Sequence, residues 1–156
     1  MDEARVLSVQ EVPQKHKNDH EGYEYFRRLL VGRGWGTGNS TVAQYEIPPG
    51  KSPYPYHYHI SNEESFYILS GRALLRTPQG ERQVGAGDFL HFPPGEGGAH
   101  KLTNISETET LVYLDFDVEY GLEVAIYPDS GKIGIWGKDI NKLYRQEQDV
   151  DYYEGE

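Results

Sequence analysis

Residues 55–71, PYHYHISNEESFYILSG, decide the fold and the chemistry that this chain predicts. His57 and His59 stand two positions apart, and side chains two apart on a β-strand lie on the same face. Both imidazoles can therefore point at one place, where a carboxylate from the next strand could complete a cluster of ligands. The stretch predicts a metal site built on a β-sheet.

The carboxylate of this cluster has two candidates, Glu63 and Glu64. After a turn-rich break, residues 64–70 are rich in Phe, Tyr and Ile and are followed by glycine, as expected for a strand. On that strand Glu64 shares a face with Phe66 and Ile68. We expect Glu64 to be the ligand, because it continues an apolar face that would wall a pocket.

The spacing of these residues resembles the first motif of the cupin superfamily. The pattern is His57-x-His59, then four residues to Glu64, then six residues to Gly71. Members of that superfamily fold as a small jelly-roll β-barrel. The resemblance therefore implies an all-β chain with the metal near one open end of the barrel.

A second stretch resembles the second cupin motif. It runs from Gly87 through Pro93 and Gly95 to His100 and Asn104. The resemblance implies that His100 is the remaining metal ligand. Four residues separate Gly95 from His100 where the common pattern has two, so the placement of His100 and the shape of the rim loop stay open.

The implied ligand set is His57, His59, Glu64 and His100. The chain contains no cysteine, so the ligands can only be nitrogen and oxygen atoms. Three imidazoles and one carboxylate suit one divalent Mn, Fe, Co, Ni or Zn ion, and the sequence does not choose among these metals. Octahedral coordination would leave two positions open for a small molecule.

Composition narrows the range of partners. The 156 residues are one domain by length, and 25 acidic against 15 basic residues give a formal net charge of -10. This balance argues against nucleic acid, whose binding depends on a basic face. No apolar run is long enough for a signal peptide or a membrane span, so we expect a cytoplasmic protein.

The chain is expected to have three parts. Residues 1–20 are polar and predict a mobile N-terminal arm, and residues 21–117 predict the cupin barrel. Residues 118–156 predict a C-terminal hairpin, with strands at 122–127 and 132–136, and an acidic tail. A hairpin of this size is marginal alone, so it should pack on the barrel or on a partner subunit. Packing on a partner would make the protein a homodimer.

The C-terminal part narrows the resemblance further. The sequence YPDSGK at 127–132 and the ending DYYEGE look like a bacterial group of single-domain cupins, some provisionally named sugar-phosphate isomerases. The resemblance implies a metal-dependent enzyme acting on a small oxygenated metabolite, with isomerisation of a sugar or sugar phosphate as the leading interpretation. An Fe(II) dioxygenase and a non-catalytic metal- or sugar-binding module are the alternatives.

Isomerisation through an enediol needs a base near the metal. The sequence offers only weak candidates, Glu63, His91 and Tyr56. Glu63 should point away from the pocket if its neighbour Glu64 points into it. The facing of His91 is not decided by the sequence.

A phosphorylated substrate would also require Arg or Lys side chains that converge on the pocket. Several arginines lie on predicted strands, but the sequence does not decide their facing. They are Arg27, Arg28, Arg72 and Arg76.

Overall fold

The computed structural model describes residues 4–32, 38–147 and 149–156, and nearly all regular structure in these ranges is β-strand. Two short 3-10 turns lie at Val9–Glu11 and Glu96–Gly98. None of the described residues belongs to a helix that could cross a membrane. The strands are β1 (Gln14–His20), β2 (Tyr23–Val31), β3 (Ser40–Ile47), β4 (Tyr58–His59), β5 (Glu63–Ser70), β6 (Arg72–Thr77), β7 (Gly80–Gly85), β8 (Phe89–Phe92), β9 (Lys101–Asn104), β10 (Leu111–Val118), β11 (Glu123–Tyr127), β12 (Lys132–Trp136) and β13 (Asn141–Arg145).

The strands form two layers with antiparallel pairing within each sheet. One layer is a six-stranded sheet in the order β1-β2-β3-β10-β5-β8. The other consists of the sheets β13-β12-β11-β4 and β7-β6-β9, which an antiparallel bridge between His57 and His100 connects. This arrangement confirms the predicted all-β jelly-roll fold.

The core lies between the two layers. It is formed by every second residue along the strands, whose side chains point inward. In β3 the residues Ala43, Tyr45 and Ile47 are buried, and their neighbours in sequence are only partly buried. The same alternation buries Phe66 and Ile68 on β5, on the face predicted for them. Apolar side chains from β6, β8, β9 and β10 complete the same cluster. At one end of this core the inward-facing positions become polar, and the candidate site lies there.

The predicted C-terminal hairpin is present as β11 and β12, paired from Glu123 opposite Trp136 to Tyr127 opposite Lys132. Strand β11 also pairs with β4 of the same chain, with Ala125 opposite His59. The hairpin therefore packs on its own barrel. This is the first of the two predicted alternatives, and the homodimer stays a prediction.

The prediction of a mobile N-terminal arm at residues 1–20 is wrong for residues 14–20. These residues form β1, an edge strand paired with β2. The ring of His16 stacks on Phe26 with centroids 4.0 Å apart, and its Nε2 lies 2.9 Å from Glu24. Every residue of β1 is exposed, so its sequence lacks the alternation that marks a half-buried strand. Residues 1–3 of the predicted arm lie outside the described ranges.

Two motif glycines, Gly71 and Gly87, have similar backbone angles but different surroundings. Their φ angles are +87° and +91°, in the region that side chains with a Cβ rarely adopt. A Cβ on Gly71 would lie 2.9 Å from the Cα of Leu111 and 2.9 Å from the carbonyl oxygen of Thr110. A Cβ on Gly87 would meet nothing within 4 Å. Gly71 is thus required by both its conformation and the close approach of β10.

We expect Gly71→Ala to lower the free energy of unfolding more than Gly87→Ala does. Both variants should lose about 1–2 kcal/mol from the left-handed backbone. Gly71→Ala should lose about 1–3 kcal/mol more from overpacking against backbone that cannot move cheaply. Urea unfolding of both variants measures the difference, and equal losses would contradict the assigned packing role.

Candidate metal centre

The structure brings the four predicted ligands together at one end of the core. Nε2 of His100 lies 3.0 Å from Oε2 of Glu64, and Nε2 of His59 lies 3.4 Å from the same oxygen. The His57 ring centroid is 4.8 Å from that of His100 and 5.0 Å from that of His59. His57, His59 and Glu64 each offer a ligand atom within 4.8 Å of the others.

The placement of His100, which the sequence left open, is decided by main-chain hydrogen bonds. The N–H of His57 donates to the carbonyl of His100 at 3.1 Å, and the N–H of His100 donates to the carbonyl of His57 at 2.9 Å. The 3-10 turn Glu96–Gly98 takes up the longer spacing before His100. The insertion therefore shapes the rim and leaves the register of His100 with His57 intact.

Main-chain carbonyls fix the orientation of two imidazoles. Nδ1 of His57 lies 2.9 Å from the carbonyl oxygen of Pro55, and Nδ1 of His100 lies 2.9 Å from that of Gly98. These contacts are satisfied when each Nδ1 carries the proton and donates it. Each Nε2 then faces the cluster with a free lone pair, which is the form that binds a metal.

The third imidazole lies beside Glu123 on the hairpin, within ion-pair distance but without an aligned hydrogen bond. Nδ1 of His59 lies 3.5 Å from the Glu123 carboxylate. That carboxylate is itself fixed, because it accepts hydrogen bonds from the N–H groups of Ile60 at 2.9 Å and Asn62 at 2.8 Å. Sequence reasoning missed Glu123, since only the tertiary pairing of β11 with β4 brings it to His59.

Burial and neighbouring charges shift the titration of the cluster. Burial, reinforced by the nearby His100, lowers the pKa of His57 to about 4. Burial alone would lower the pKa of His59, but Glu123 and Glu64 outweigh it and raise that pKa to about 10. Burial would raise the pKa of Glu64, but His100 and His59 hold it well below its usual range. The centre therefore contains an ionised carboxylate and at least one neutral imidazole.

The polar atoms of this cluster fit a bound cation. Oε2 of Glu64, Nε2 of His100 and Nδ1 of His59 are buried and make no hydrogen bond. Oε2 of Glu64 and Nε2 of His100 are 3.0 Å apart, but they are not aligned for a hydrogen bond. Both atoms therefore remain without a hydrogen-bond partner. A divalent ion between the imidazole nitrogens and the carboxylate would satisfy the Glu64 and His100 atoms, and this donor set suits a transition metal.

A cavity of about 360 Å³ opens over these ligands. Its lining residues come from both layers of the fold. They are Arg27, Tyr45, Tyr54, His57, His59, Asn62, Glu64, Asp115, Asp117, Ala125, Tyr127 and Trp136.

Two of the lining carboxylates, Asp115 and Asp117, were missed by sequence reasoning. Each offers an oxygen within 4.8 Å of a Glu64 oxygen. Burial, reinforced by the Glu64 carboxylate, raises the pKa of Asp117 to about 8. Burial, reinforced by Asp117 and Glu64, raises the pKa of Asp115 well above its usual range. The alternation along β10 was a usable signal, because these residues are in line with the buried Tyr113.

An aromatic wall formed by Tyr127 and Trp136 of the hairpin closes one side of the cavity. The Tyr127 ring stacks on His57 with centroids 5.7 Å apart, and Trp136 packs against Tyr127 at 6.3 Å. A Cβ at Gly134 would lie 1.9 Å from the Trp136 ring. Glycine at this position therefore lets the indole lie back over its own strand.

The three weak catalytic candidates from the sequence are not among the residues that line the cavity. Glu63 alternates with Glu64 and faces the other side of β5. His91 is exposed, with Nδ1 2.9 Å from the Ser65 hydroxyl on that same outer face. The Tyr56 ring lies under the Arg76 guanidinium at 4.0 Å. The structure places none of the three where it could serve as a base.

Comparison with known proteins agrees with the fold. Residues 43–117 match the cupin domain family. This central region of the chain is therefore a cupin domain. The four ligand positions lie inside the matched cupin domain, whereas Arg27, Glu123, Tyr127 and Trp136 lie outside it.

A crystal structure of similar fold extends over nearly the whole cupin chain. It is a protein from Acidithiobacillus ferrooxidans, provisionally named a sugar phosphate isomerase, with 28% identity and a TM-score of 0.81. The match covers 93% of this chain and 95% of that protein. The similarity therefore includes the N-terminal strand pair and the C-terminal hairpin.

Curated relatives match only the central region of this cupin. An uncharacterized protein of Methanocaldococcus jannaschii is 32% identical over 79 residues, which cover 51% of this chain and 61% of that protein. Quercetin 2,3-dioxygenase of Bacillus subtilis is 30% identical over 79 residues, which cover 51% of this chain and 23% of that enzyme. The chain thus matches less than two thirds of the length of either relative.

We expect the purified cupin to contain about one divalent transition metal ion per chain. His57→Ala and His100→Ala should each reduce the metal content to near zero, because water would not replace the lost imidazole at the same affinity. Elemental analysis of the purified variants gives the measurement. His91→Ala is the matched control and should retain the metal, and equal metal content in all three variants would contradict the assigned centre.

We expect Glu123→Gln to weaken metal binding about 10–100-fold, the usual cost of removing a carboxylate that orients a histidine ligand. Competition with a chelator of known affinity measures the change. Asp129→Asn is the control, because this exposed carboxylate lies on the same hairpin and pairs with Arg76. The same affinity in both variants would mean that Glu123 only supports the fold.

Proposed function

We propose that this cupin is a metal-dependent enzyme that isomerises a sugar or a sugar phosphate. The observation that carries the proposal is a pair of carboxylates, Asp115 and Asp117, in the same cavity as the candidate metal ligands. A ligand cluster alone would serve binding as well as catalysis. A carboxylate beside that cluster supplies the proton acceptor that isomerisation requires.

The ion would be held by His57, His59, Glu64 and His100. When bound, it would supply a Lewis acid that polarises a carbonyl or hydroxyl oxygen of the substrate. The remaining steps belong to the protein's own side chains.

Asp117 is assigned as the base. Its carboxylate takes the proton from the hydroxyl-bearing carbon next to the carbonyl, and the electron pair of that C–H bond forms the carbon–carbon double bond of an enediol. The proton then returns to the former carbonyl carbon while the neighbouring oxygen becomes the new carbonyl. Asp115 stands beside Asp117 and can move the hydroxyl proton between the two oxygens. The reaction is balanced without an oxidant or a reductant.

The aromatic wall supports a sugar-like substrate. The faces of Tyr127 and Trp136 suit the apolar C–H face of a sugar ring, and the carboxylates and Asn62 on the other walls suit its hydroxyl groups. The similarity to the Acidithiobacillus ferrooxidans protein, provisionally named a sugar phosphate isomerase, is consistent with this class of substrate.

A dioxygenase is the second candidate, and a specific observation favours it. The matched region is 30% identical to part of the Bacillus subtilis quercetin 2,3-dioxygenase. With Fe(II) in the centre, open coordination positions could admit dioxygen beside the substrate. A non-catalytic metal- or sugar-binding module is the remaining alternative and would use the same ligands.

We expect Asp117→Asn to reduce isomerisation of the sugar substrate about 10²–10⁴-fold, the usual contribution of a general base. Turnover of a panel of sugars and sugar phosphates, followed by NMR, measures the rate, and elemental analysis checks that the metal is retained. Glu63→Gln is the matched control, because this side chain lies on the opposite face of β5, and it should keep the wild-type rate.

The same panel separates the alternatives. Oxygen consumption without isomerisation would favour the dioxygenase. A protein that binds metal and sugar but turns over neither class would favour the binding module. Full isomerase activity in Asp117→Asn would remove this residue from the role of base.

A further inference from the structure

Arg27 and Lys15 lie directly opposite each other on neighbouring strands β2 and β1. Arg27 also faces Tyr45 of β3, whose side chain is buried in the core. Side chains opposite each other in a sheet share one face, so both cations are on the inner side of the sheet. Like charges placed opposite each other destabilise a strand pair.

The next residue along β2, Arg28, shows how the protein neutralises an arginine elsewhere. Arg28 faces the outer side and forms an ion pair with Glu46, with Nη1 2.5 Å from Oε1. Gln14, opposite Arg28 on β1, also donates to that carboxylate at 3.2 Å. The positive charge of Arg28 on the outer face is therefore neutralised by Glu46 within the same sheet.

Arg27 has no such partner among the residues that the structure describes. Its guanidinium lies 5.6 Å from the centroid of the Tyr45 ring, a contact that orients the group without neutralising it. Its Nε is buried and makes no hydrogen bond with any described residue. The same is true of Nε of Arg28, so the missing ion pair is what distinguishes Arg27 from Arg28. Asp115 and Asp117 lie near enough to act on the charge of Arg27 without forming a close ion pair with it. The unpaired Nε donor of Arg27 is therefore the group that is open to an anion from outside the chain.

Arg27 also lies at the boundary between two cavities and lines both of them. It lines the cavity above the metal ligands and a neighbouring cleft of about 500 Å³ whose basic wall is Lys15 and Lys17 on β1. Lys17 is partly compensated by Asp19 at 3.4 Å, whereas Lys15 has no ion pair within the described ranges. An elongated substrate could reach from the metal ligands to this cleft past Arg27.

We propose that Arg27 and Lys15 form the subsite for the phosphoryl group of a phosphorylated sugar. This inference rests on the proposed isomerase function and selects the phosphorylated class of substrate within it. The planar guanidinium can bind two phosphoryl oxygens at once, and the ammonium of Lys15 adds a second positive charge. An anion between the two removes the repulsion that they otherwise impose on the strand pair.

The position of the acidic residues gives the substrate its orientation. Asp115 and Asp117 are on the metal side of Arg27 and would repel a phosphoryl dianion. The phosphoryl group therefore lies on the Lys15 side, and the uncharged sugar carbons lie over the carboxylates and the metal ligands. Both cationic residues precede the matched cupin domain, so the subsite belongs to the strand pair that this chain adds to that domain.

The test is binding of inorganic phosphate to the purified, metal-containing protein, measured by isothermal titration calorimetry. Arg27→Gln should weaken the phosphate Kd at least about 10-fold, in line with about 1.5–3 kcal/mol for a hydrogen bond to a charged group. Lys15→Gln should weaken it less, about 3–10-fold, because a flexible exposed ammonium contributes less. Arg27→Lys keeps the charge and should restore part of the affinity.

Arg28→Gln is the matched control, since it removes an arginine one position away on the opposite face, and its phosphate Kd should stay within about 2-fold of wild type. If phosphate binds equally well to wild type, Arg27→Gln and Arg28→Gln, the subsite does not exist. Binding that only His57→Ala abolishes would place phosphate on the metal and would also overturn the inference. The calorimetric measurement needs no turnover. Phosphate binding can therefore be tested even if the protein proves not to be an isomerase.

Discussion

The structure depends on burying one carboxylate, Glu64, against three imidazoles. Glu64 is only 6% exposed, and an ionised carboxylate in such a place is strongly destabilising unless opposite charge or hydrogen-bond donors offset it. The surrounding elements supply that compensation through His57, His59 and His100. Each imidazole is oriented by an outward contact of its Nδ1, so the three inner nitrogens face the carboxylate together. A cation at the centre would complete the same balance, and this supports the proposal of a metal site.

Reciprocal main-chain hydrogen bonds fix His57 and His100 next to each other. Strand pairing thus places the imidazoles that compensate the buried Glu64 carboxylate. These hydrogen bonds join the two sheets of the second layer at the point where the ligands meet. The site is therefore not carried by a mobile loop. Its geometry is set by strand pairing, and the longer rim before His100 is accommodated outside the ligand positions in a short 3-10 turn.

The segments on either side of the matched cupin domain contribute several of the residues that line the cavity. The C-terminal hairpin contributes Glu123 to the orientation of His59 and adds the aromatic wall of Tyr127 and Trp136. The N-terminal strand pair contributes Arg27 and Lys15 to the opposite side. The matched cupin domain thus contains the four candidate ligands, and the added strands supply further lining residues of the cavity beside them.

The sequence by itself determined the all-β fold, the hairpin at its correct position and the four side chains that meet at one end of the core. These were readable because they depend on local spacing: two histidines two apart, a glutamate on the buried face of the next strand, and glycines at turns. The facing of His91, the strand at residues 14–20 and the positions of Glu123, Asp115 and Arg27 around the cavity were decided by the tertiary structure alone. Each of them depends on which strands pair across long separations in sequence, and β1 in particular is exposed along its whole length, so no hydrophobic alternation could reveal it.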